Sequence, residues 1–184
     1  IRVAALAMKG DWHDLGGALS DSASEPVALQ PLAMIDDAAD RGWAAEWIAA
    51  ILAREKIDVT PEAKEHLWSA LSSLASAPAG ERTLTGLSVL LQSQSLKRAL
   101  QPYCLGGPFG RLLDAEAERL GAAPVQVFET EGLIGTGAAP AILSYLFHRI
   151  EGQLDGRPTL LIIDEGWLAL DDEGFAGQIR EWLK

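Results

Sequence analysis

The stretch PTLLIIDE, residues 158–165, decides the predicted fold. Its centre is a continuous apolar run, which predicts a strand over residues 158–164 that is buried on both faces of a parallel sheet. Upstream, VQVFE (residues 125–129) is a short β-rich run, and residues 140–152 have the pattern of a helix. A strand, a crossover helix and a second buried strand predict a parallel α/β unit with a right-handed connection.

Residues 36–120 have helical periodicity throughout. The pair Asp36-Asp37 is typical of a helix start, and Thr60-Pro61 supplies a capping hydroxyl and then a proline whose missing N–H costs nothing at the first helical position. Three further helices are predicted, over residues 84–92, 95–103 and 111–120. Five tryptophans lie at helical spacing and are predicted to pack in the core: Trp43, Trp47, Trp68, Trp167 and Trp182.

The predicted fold class is therefore α/β, with an incomplete parallel sheet and an all-helical inserted lobe. We place the N-terminal part of the core at residues 1–35, the lobe at residues 36–120 and the rest of the core at residues 121–184. Within the first of these segments, residues 11–25 are rich in turn formers and residues 27–32 have the composition of an edge strand. Both ends of the chain stop inside helical patterns, so we expect a longer parent protein.

Charge and composition exclude several classes of function. The 184 residues include 15 Lys and Arg against 26 Asp and Glu, a formal net charge of −11, and 48% are hydrophobic. The chain is too hydrophobic to be disordered, and its negative charge argues against direct binding of nucleic acid. The single cysteine, Cys104, permits no internal disulfide and is predicted to be structural; with three scattered histidines it completes no zinc site. The absence of disulfides favours a cytosolic compartment.

Asp164 and Glu165 are the strongest candidates for chemistry. Two adjacent carboxylates follow four apolar residues, at the carboxyl end of the predicted strand. In phosphate-loop nucleotidases an aspartate in this place holds Mg²⁺, usually through water, and the next glutamate orients or deprotonates the attacking water. The alternative is structural, because an acidic residue after a strand often caps the following helix. The segment alone does not separate the two interpretations.

A dinucleotide-binding oxidoreductase site is a weaker alternative. The glycines of GTGAAP, residues 135–140, lie between a predicted strand and a helix, and Asp164 follows the next strand, where a ribose-binding acid occurs. However, the glycines begin well after Glu129, and proline replaces the third glycine. Glu129 and Glu131 would also repel a pyrophosphate. A simple strand-to-helix loop explains these residues better.

Four stretches together resemble the C-terminal ATPase domain of the TrbE/CagE family of conjugative-transfer and type IV secretion ATPases. They are residues 159–184, 30–33 (QPLA), 105–114 (LGGPFGRLLD) and 128–133 (FETEGL). The resemblance spans nearly the whole chain, and Asp164-Glu165-Gly166-Trp167 is its most characteristic piece. The family implies a RecA-like nucleotidase core with a helical lobe. It also implies the Walker B roles, with Asp164 binding the metal and Glu165 acting as the catalytic carboxylate.

The resemblance implies a cellular role as well. Members of this family hydrolyse ATP with Mg²⁺, form oligomers at the cytoplasmic face of the inner membrane, and work with other secretion subunits in pilus assembly and substrate transfer. They carry a phosphate-binding loop, GxxxxGK[ST], upstream of the region that this chain resembles, and the 184 residues contain no such motif. We therefore expect an active parent protein and an inactive isolated chain.

A second hypothesis comes from another class of function. The chain has more apolar and aromatic residues than one compact lobe of this size needs to bury, so the lobe is also a candidate protein-interaction module. Its partners would be other secretion subunits or a neighbouring protomer.

Overall fold

The computed structural model describes residues 2–19, 27–121, 123–164, 176, 177 and 180. The chain divides into two compact units, Ile1–Leu133 and Ile134–Lys184. The α-helices are α1 (Arg2–Ala7), α2 (Ala38–Arg54), α3 (Pro61–Leu74), α4 (Leu84–Leu90), α5 (Gln94–Leu100), α6 (Gly110–Leu113) and α7 (Ala139–Glu151). The strands are β1 (Asp11–Asp14) and β2 (Gln126–Glu129), and 3₁₀ turns occur at Gly17–Leu19, Ala79–Glu81 and Gln101–Tyr103.

The two strands pair in parallel, which confirms an α/β chain but not the predicted strand pair. Asp11 lies opposite Gln126, and the register continues to Asp14 opposite Glu129. Helices α2 to α6 lie between these two strands in sequence and share one compact unit with them, and an inserted lobe over residues 36–120 stays a prediction. β1 falls in the segment that we expected to be rich in turns. Its sequence, DWHD, is short and mostly polar, and its strand conformation depends on the distant partner β2.

The helices of the lobe begin where local sequence signals place them. The Asp37 side chain accepts hydrogen bonds from the backbone N–H groups of Ala39 (2.7 Å) and Asp40 (3.2 Å), and so caps α2. The Thr60 hydroxyl accepts one from the Ala63 N–H (3.2 Å), and Pro61 follows as the first residue of α3. Both predicted helix starts are confirmed. The core of the lobe consists mainly of side chains from α2 to α5: Trp47, Ile48, Ile51, Leu52, Leu67, Leu71, Leu74, Leu84, Leu87, Leu96 and Leu100.

The tryptophans agree only in part with the packing prediction. Trp47 is buried, and Trp43 stacks on it with ring centroids 5.6 Å apart. Trp68 is exposed, with the Arg41 guanidinium 5.5 Å from its ring centroid, so the prediction of a core position is wrong there. The buried apolar face of α3 includes Leu67, Leu71 and Leu74 but not Trp68, so it is narrower than the helical spacing of the apolar residues predicts. Trp167 and Trp182 lie outside the described residues.

Residues 27–30 pair irregularly with residues 112–119, in place of the edge strand predicted over residues 27–32 and the helix predicted over residues 111–120. The Leu29 N–H donates to the Leu112 carbonyl (2.7 Å), and the Ala115 N–H donates to the Leu29 carbonyl (3.2 Å). The Arg119 N–H donates to the Ala28 carbonyl (2.8 Å). These long-range hydrogen bonds use backbone groups that a longer helix would need, so α6 ends at Leu113.

The predicted buried strand over residues 158–164 is wrong for this structure. The segment has no regular secondary structure and is exposed, with Leu160 at 83% and Ile162 at 79% of their full exposure. A strand needs a hydrogen-bonded neighbour, and in the described part of the chain β1 pairs only with β2. The preceding helix, α7, matches the predicted span of residues 140–152 closely. A RecA-like core stays a prediction.

Candidate functional site

The two candidate carboxylates fall at the edge of what the structure describes. Asp164 is exposed and ends the irregular segment over residues 158–164. Glu165 lies outside the described residues, so the geometry of the pair is not part of the structure. Asp164 has the acidic oxygen ligands that Mg²⁺ prefers. Its role as a metal ligand and the role of Glu165 as a catalytic carboxylate stay predictions.

The carboxyl end of the sheet also brings together two acidic residues that the sequence analysis did not pair. Asp14 ends β1, Glu129 ends β2, and the two are register partners. The carboxyl ends of parallel strands are where open α/β sheets bind ligands. The Asp14 carboxylate accepts a hydrogen bond from the Gly17 N–H (2.6 Å), so this side chain turns the backbone after β1. Within the described residues, no group of three or more His, Cys, Asp or Glu side chains has metal-binding geometry.

Two glycines let the loops that follow the strands pack closely. A Cβ at Gly16 would collide with the carbonyl oxygen of Glu131, and Gly132 has a φ of +79°. Only glycine adopts that conformation without strain. The Asp14-Leu15-Gly16-Gly17 sequence is the signal that could have located this end of the sheet, once β1 had been predicted.

The buried His13 belongs to a polar chain that runs across the strand pair. Its Nε2 atom lies 2.6 Å from Oε1 of Gln126, and its ring stacks on Phe128 with centroids 5.1 Å apart. The Gln126 amide donates to the Asp11 carboxylate (3.0 Å), which also accepts from the Ala123 N–H (3.0 Å). These hydrogen bonds, chiefly the one from Ala123, lower the pKa of Asp11. This series of hydrogen bonds helps to fix the register of β1 against β2. Its polar groups bond to one another within the fold.

The glycine loop at residues 135–140 does not directly follow β2 in the sequence. Gly135 has a φ of +92°, and both Gly135 and Gly137 are exposed. The Ala139 N–H donates to the Thr136 carbonyl (3.2 Å) where α7 begins. Nine residues, 130–138, separate β2 from α7, whereas a dinucleotide fingerprint begins at the strand end. The geometry gives this alternative no support.

Cys104 directly precedes the 105–114 stretch, and Asp114, which ends it, lies close to Cys104. The buried Asp114 carboxylate accepts hydrogen bonds from the backbone N–H of Thr85 (3.0 Å), the hydroxyl of Thr85 (2.5 Å) and the N–H of Leu105 (2.6 Å). Burial, followed by the negative charge of Asp114, raises the pKa of the Cys104 thiol to about 11. The thiol is therefore protonated near neutral pH, as a structural cysteine should be.

Gln30 and Arg82 connect the QPLA stretch to the end of α3. The Gln30 side chain donates to the Ala79 carbonyl (2.5 Å). Arg82 donates to the carbonyls of Ala33 (2.8 Å) and Ala77 (3.0 Å) and pairs with Asp36. Two of the four stretches that carry the family resemblance, residues 30–33 and 105–114, therefore make hydrogen bonds that hold the helices of this region together.

Comparisons with known proteins give the same family over nearly the whole chain. The chain is 39% identical to a probable conjugal transfer protein TrbE of Sinorhizobium fredii over 97% of its length, and 36% identical to the conjugal transfer protein TrbE of Rhizobium radiobacter, also over 97%. Over nearly its whole length the chain therefore matches one region of proteins of the TrbE/VirB4 family. It is also 25% identical, over 87% of its length, to the type IV secretion system protein VirB4 of Bartonella henselae.

The match covers one region of these TrbE and VirB4 proteins. The chain spans 27%, 22% and 21% of their respective lengths, about a quarter. No family model matches the chain. None of the helices in the described part of this chain has both the length and the apolar character that a bilayer crossing requires.

Proposed function

We propose that this chain carries the Walker B carboxylates of an ATPase that powers type IV secretion or conjugal transfer. The observation that supports the proposal most strongly is the match to TrbE proteins over 97% of the chain. The sequence TLLIIDE also supports it, because two adjacent carboxylates directly follow an apolar run, as in such ATPases.

Asp164 and Glu165 divide the chemistry. Asp164 binds Mg²⁺, directly or through water, and the metal neutralises charge on the phosphates of ATP when it is bound. Glu165 accepts a proton from the attacking water and orients it towards the terminal phosphate. The lysine-bearing loop that holds the phosphates is not among the 184 residues, so the chain contributes one half of the apparatus.

We further propose a division of labour between the core and the lobe. Residues 1–35 and 121–184 belong to a RecA-like nucleotidase core, and residues 36–120 form the inserted lobe. The parallel pairing of β1 with β2 supports this division, because it joins the chain before the lobe to the chain after it. The parent protein works as an oligomer at the cytoplasmic face of the inner membrane, together with other secretion subunits. With its net charge of −11, this region leaves any contact with DNA to other parts of the machine.

Steady-state ATP hydrolysis tests the proposal. In the natural protein that contains these residues, Glu165→Gln should lower kcat by about 100-fold or more, because the water loses its base. Asp164→Asn should raise the Mg²⁺ concentration needed for half-maximal rate. Glu151→Gln, an exposed carboxylate at the end of α7, is the matched control and should leave both quantities unchanged.

The isolated 184-residue chain provides a second comparison. We expect it to hydrolyse no ATP, since it has no phosphate-binding loop. If the isolated chain hydrolyses ATP steadily and Glu165→Gln abolishes this hydrolysis, the expectation that the chain needs a phosphate-binding loop from outside the 184 residues is wrong. Full hydrolysis by the natural Glu165→Gln protein would contradict the assignment of the base.

A further inference from the structure

One stretch of the lobe differs in charge from the rest of the chain. Residues 83–113 contain no Asp or Glu, but they contain Lys97, Arg98 and Arg111. The stretch therefore carries three positive charges in a chain whose net charge is −11. It includes α4, α5 and the loop at Leu105. Two carboxylates from outside the stretch contact it, because Asp114 accepts hydrogen bonds from Thr85 and Leu105 and Glu55 accepts one from the Tyr103 hydroxyl. With these two included the formal charge is 3 − 2 = +1, so this part of the protein is still less acidic than the chain as a whole.

The same stretch exposes three large aliphatic side chains, of which Leu90 is the least exposed at 42%. Val89 is 72% exposed and Leu105 is 76% exposed. The Leu105 N–H donates to the Thr85 hydroxyl (2.9 Å), and Val89 lies one helical turn after Thr85 on the same side of α4. The loop at Leu105 thus lies against the side of α4 that carries Val89.

A shallow cleft of about 300 Å³ lies between α4 and α5 beside these residues. Its lining consists of Ser88, Gln94, Lys97, Arg98, Gln101 and Cys104. No hydrogen bond or ion pair to another described residue engages the side chain of Lys97 or Arg98. We call Val89, Leu105, Lys97, Arg98 and the cleft the α4–α5 face.

We propose that the α4–α5 face binds an acidic amphipathic segment of a partner protein. Such a segment would cover Val89 and Leu105 with its apolar stripe, while its carboxylates would pair with Lys97 and Arg98. Gln94 and Gln101 add amide groups for hydrogen bonds at the rim. The proposal does not rest on ATP hydrolysis by the parent protein.

The chemistry of the face favours a protein over a nucleic acid. Sites for single-stranded nucleic acids combine a run of basic residues with aromatic side chains for base stacking. The α4–α5 face offers two cations and two exposed aliphatic side chains. Exposed aliphatic groups beside cations match the composition of a docking site for an acidic helix.

A binding titration with a defined probe tests the proposal. The probe is a fluorescein-labelled helical peptide about 16 residues long, with leucines at i, i+3, i+4 and i+7 spacing and glutamates elsewhere. We expect saturable binding to the 184-residue chain that weakens with added salt. The double variant Lys97→Glu/Arg98→Glu should raise the dissociation constant about tenfold or more, and Leu105→Ser should raise it as well.

Matched controls separate the face from bulk charge. Lys9→Glu/Arg119→Glu changes the net charge by the same amount at exposed side chains outside residues 83–113 and should alter the dissociation constant by less than about twofold. All variants should keep the circular dichroism spectrum and urea midpoint of the parent, because the changed side chains are not part of the core. A scrambled peptide of the same composition should bind more weakly, since it lacks the apolar stripe.

Several outcomes would overturn the proposal. Binding that is unchanged in Lys97→Glu/Arg98→Glu would exclude this face. Equal binding of the scrambled peptide, or tighter binding of a single-stranded oligonucleotide, would indicate a general anion site. Self-association of the chain that Leu105→Ser abolishes would assign the face to a second copy of the chain.

Discussion

Asp114 shows how a single residue holds part of the lobe together. Its carboxylate is buried and accepts three hydrogen bonds, which join the first turn of α4 to the loop at Leu105. Hydrogen bonds to a charged acceptor contribute more than neutral ones, and removal of the acceptor leaves buried donors without a partner. Part of the family resemblance therefore lies in residues 105–114, whose Asp114 stabilises the contact between α4 and the loop at Leu105.

Replacement of Asp114 should destabilise the lobe. We expect Asp114→Ala to lower the free energy of unfolding by about 1–3 kcal/mol, because the Thr85 N–H loses its acceptor and the Leu105 N–H keeps only the Thr85 hydroxyl. Glu116→Ala, an exposed control two residues away, should change it by less than about 0.5 kcal/mol. Urea denaturation followed by tryptophan fluorescence measures both. Equal midpoints for the two variants would show that the Asp114 network adds no net stability.

Cys104 predicts a pH dependence of stability. Burial raises the pKa of its thiol from an ordinary value of 9.0 to about 11 in the folded chain. The folded state then holds the proton more tightly than the unfolded state, so this contribution is fully present below pH 9 and is lost as the pH rises towards 11. The free energy of unfolding should fall over that range, and Cys104→Ala should make the fall shallower.

Thiol alkylation checks the same residue independently. The native thiol should react with iodoacetamide at about pH 8 far more slowly than the thiol of the urea-unfolded chain, because only the thiolate is nucleophilic and the side chain is buried. Equal rates in the two states would contradict both the burial and the raised pKa.

The elements of this fold differ in how far the sequence predicts them. The starts of α2 and α3 follow from Asp37 and Thr60, whose capping hydrogen bonds reach only two or three residues along the chain. β1 and the pairing of residues 27–30 depend on partners that lie more than 80 residues away, so no local pattern reveals them. Residues 158–164 show the converse, since a β-rich apolar composition does not form a strand without a neighbour to pair with.

The same reasoning applies to the candidate site. The prediction of Asp164 and Glu165 rests on adjacent residues alone and needs no knowledge of distant contacts. The Asp14 and Glu129 pair was missed because the two residues meet only through the register of β1 and β2.

Two glycine substitutions should have opposite effects on the stability of these elements. Gly16→Ala places a methyl group against the Glu131 carbonyl beyond the end of β1, and should lower the free energy of unfolding by about 1–3 kcal/mol. Gly42→Ala lies within α2 with no heavy atom within 4 Å of the added carbon, and should raise it by about 0.5–1 kcal/mol. Urea midpoints measure both changes. Shifts in the same direction would contradict the close packing of the loops beyond β1 and β2.

At the scale of the whole molecule, the proposed insertion of a lobe between β1 and β2 would let one chain combine two tasks. The pairing of β1 with β2 joins the chain before the helices to the chain after them, while Lys97 and Arg98 give α5 a charge opposite to that of the chain as a whole. We expect changes on the α4–α5 face to alter partner binding without altering ATP hydrolysis by the parent. Changes at Asp164 or Glu165 should have the reverse effect.

The chemical state of bound nucleotide tests the central claim most directly. The natural protein with Glu165→Gln should still bind Mg²⁺-ATP, because the phosphate-binding loop and Asp164 remain, but it should not cleave it. After incubation with ATP and rapid removal of free nucleotide, the variant should retain mainly ATP, whereas the unchanged protein should retain mainly ADP. Mainly ADP on the Glu165→Gln protein would contradict the assignment of Glu165 as the catalytic base.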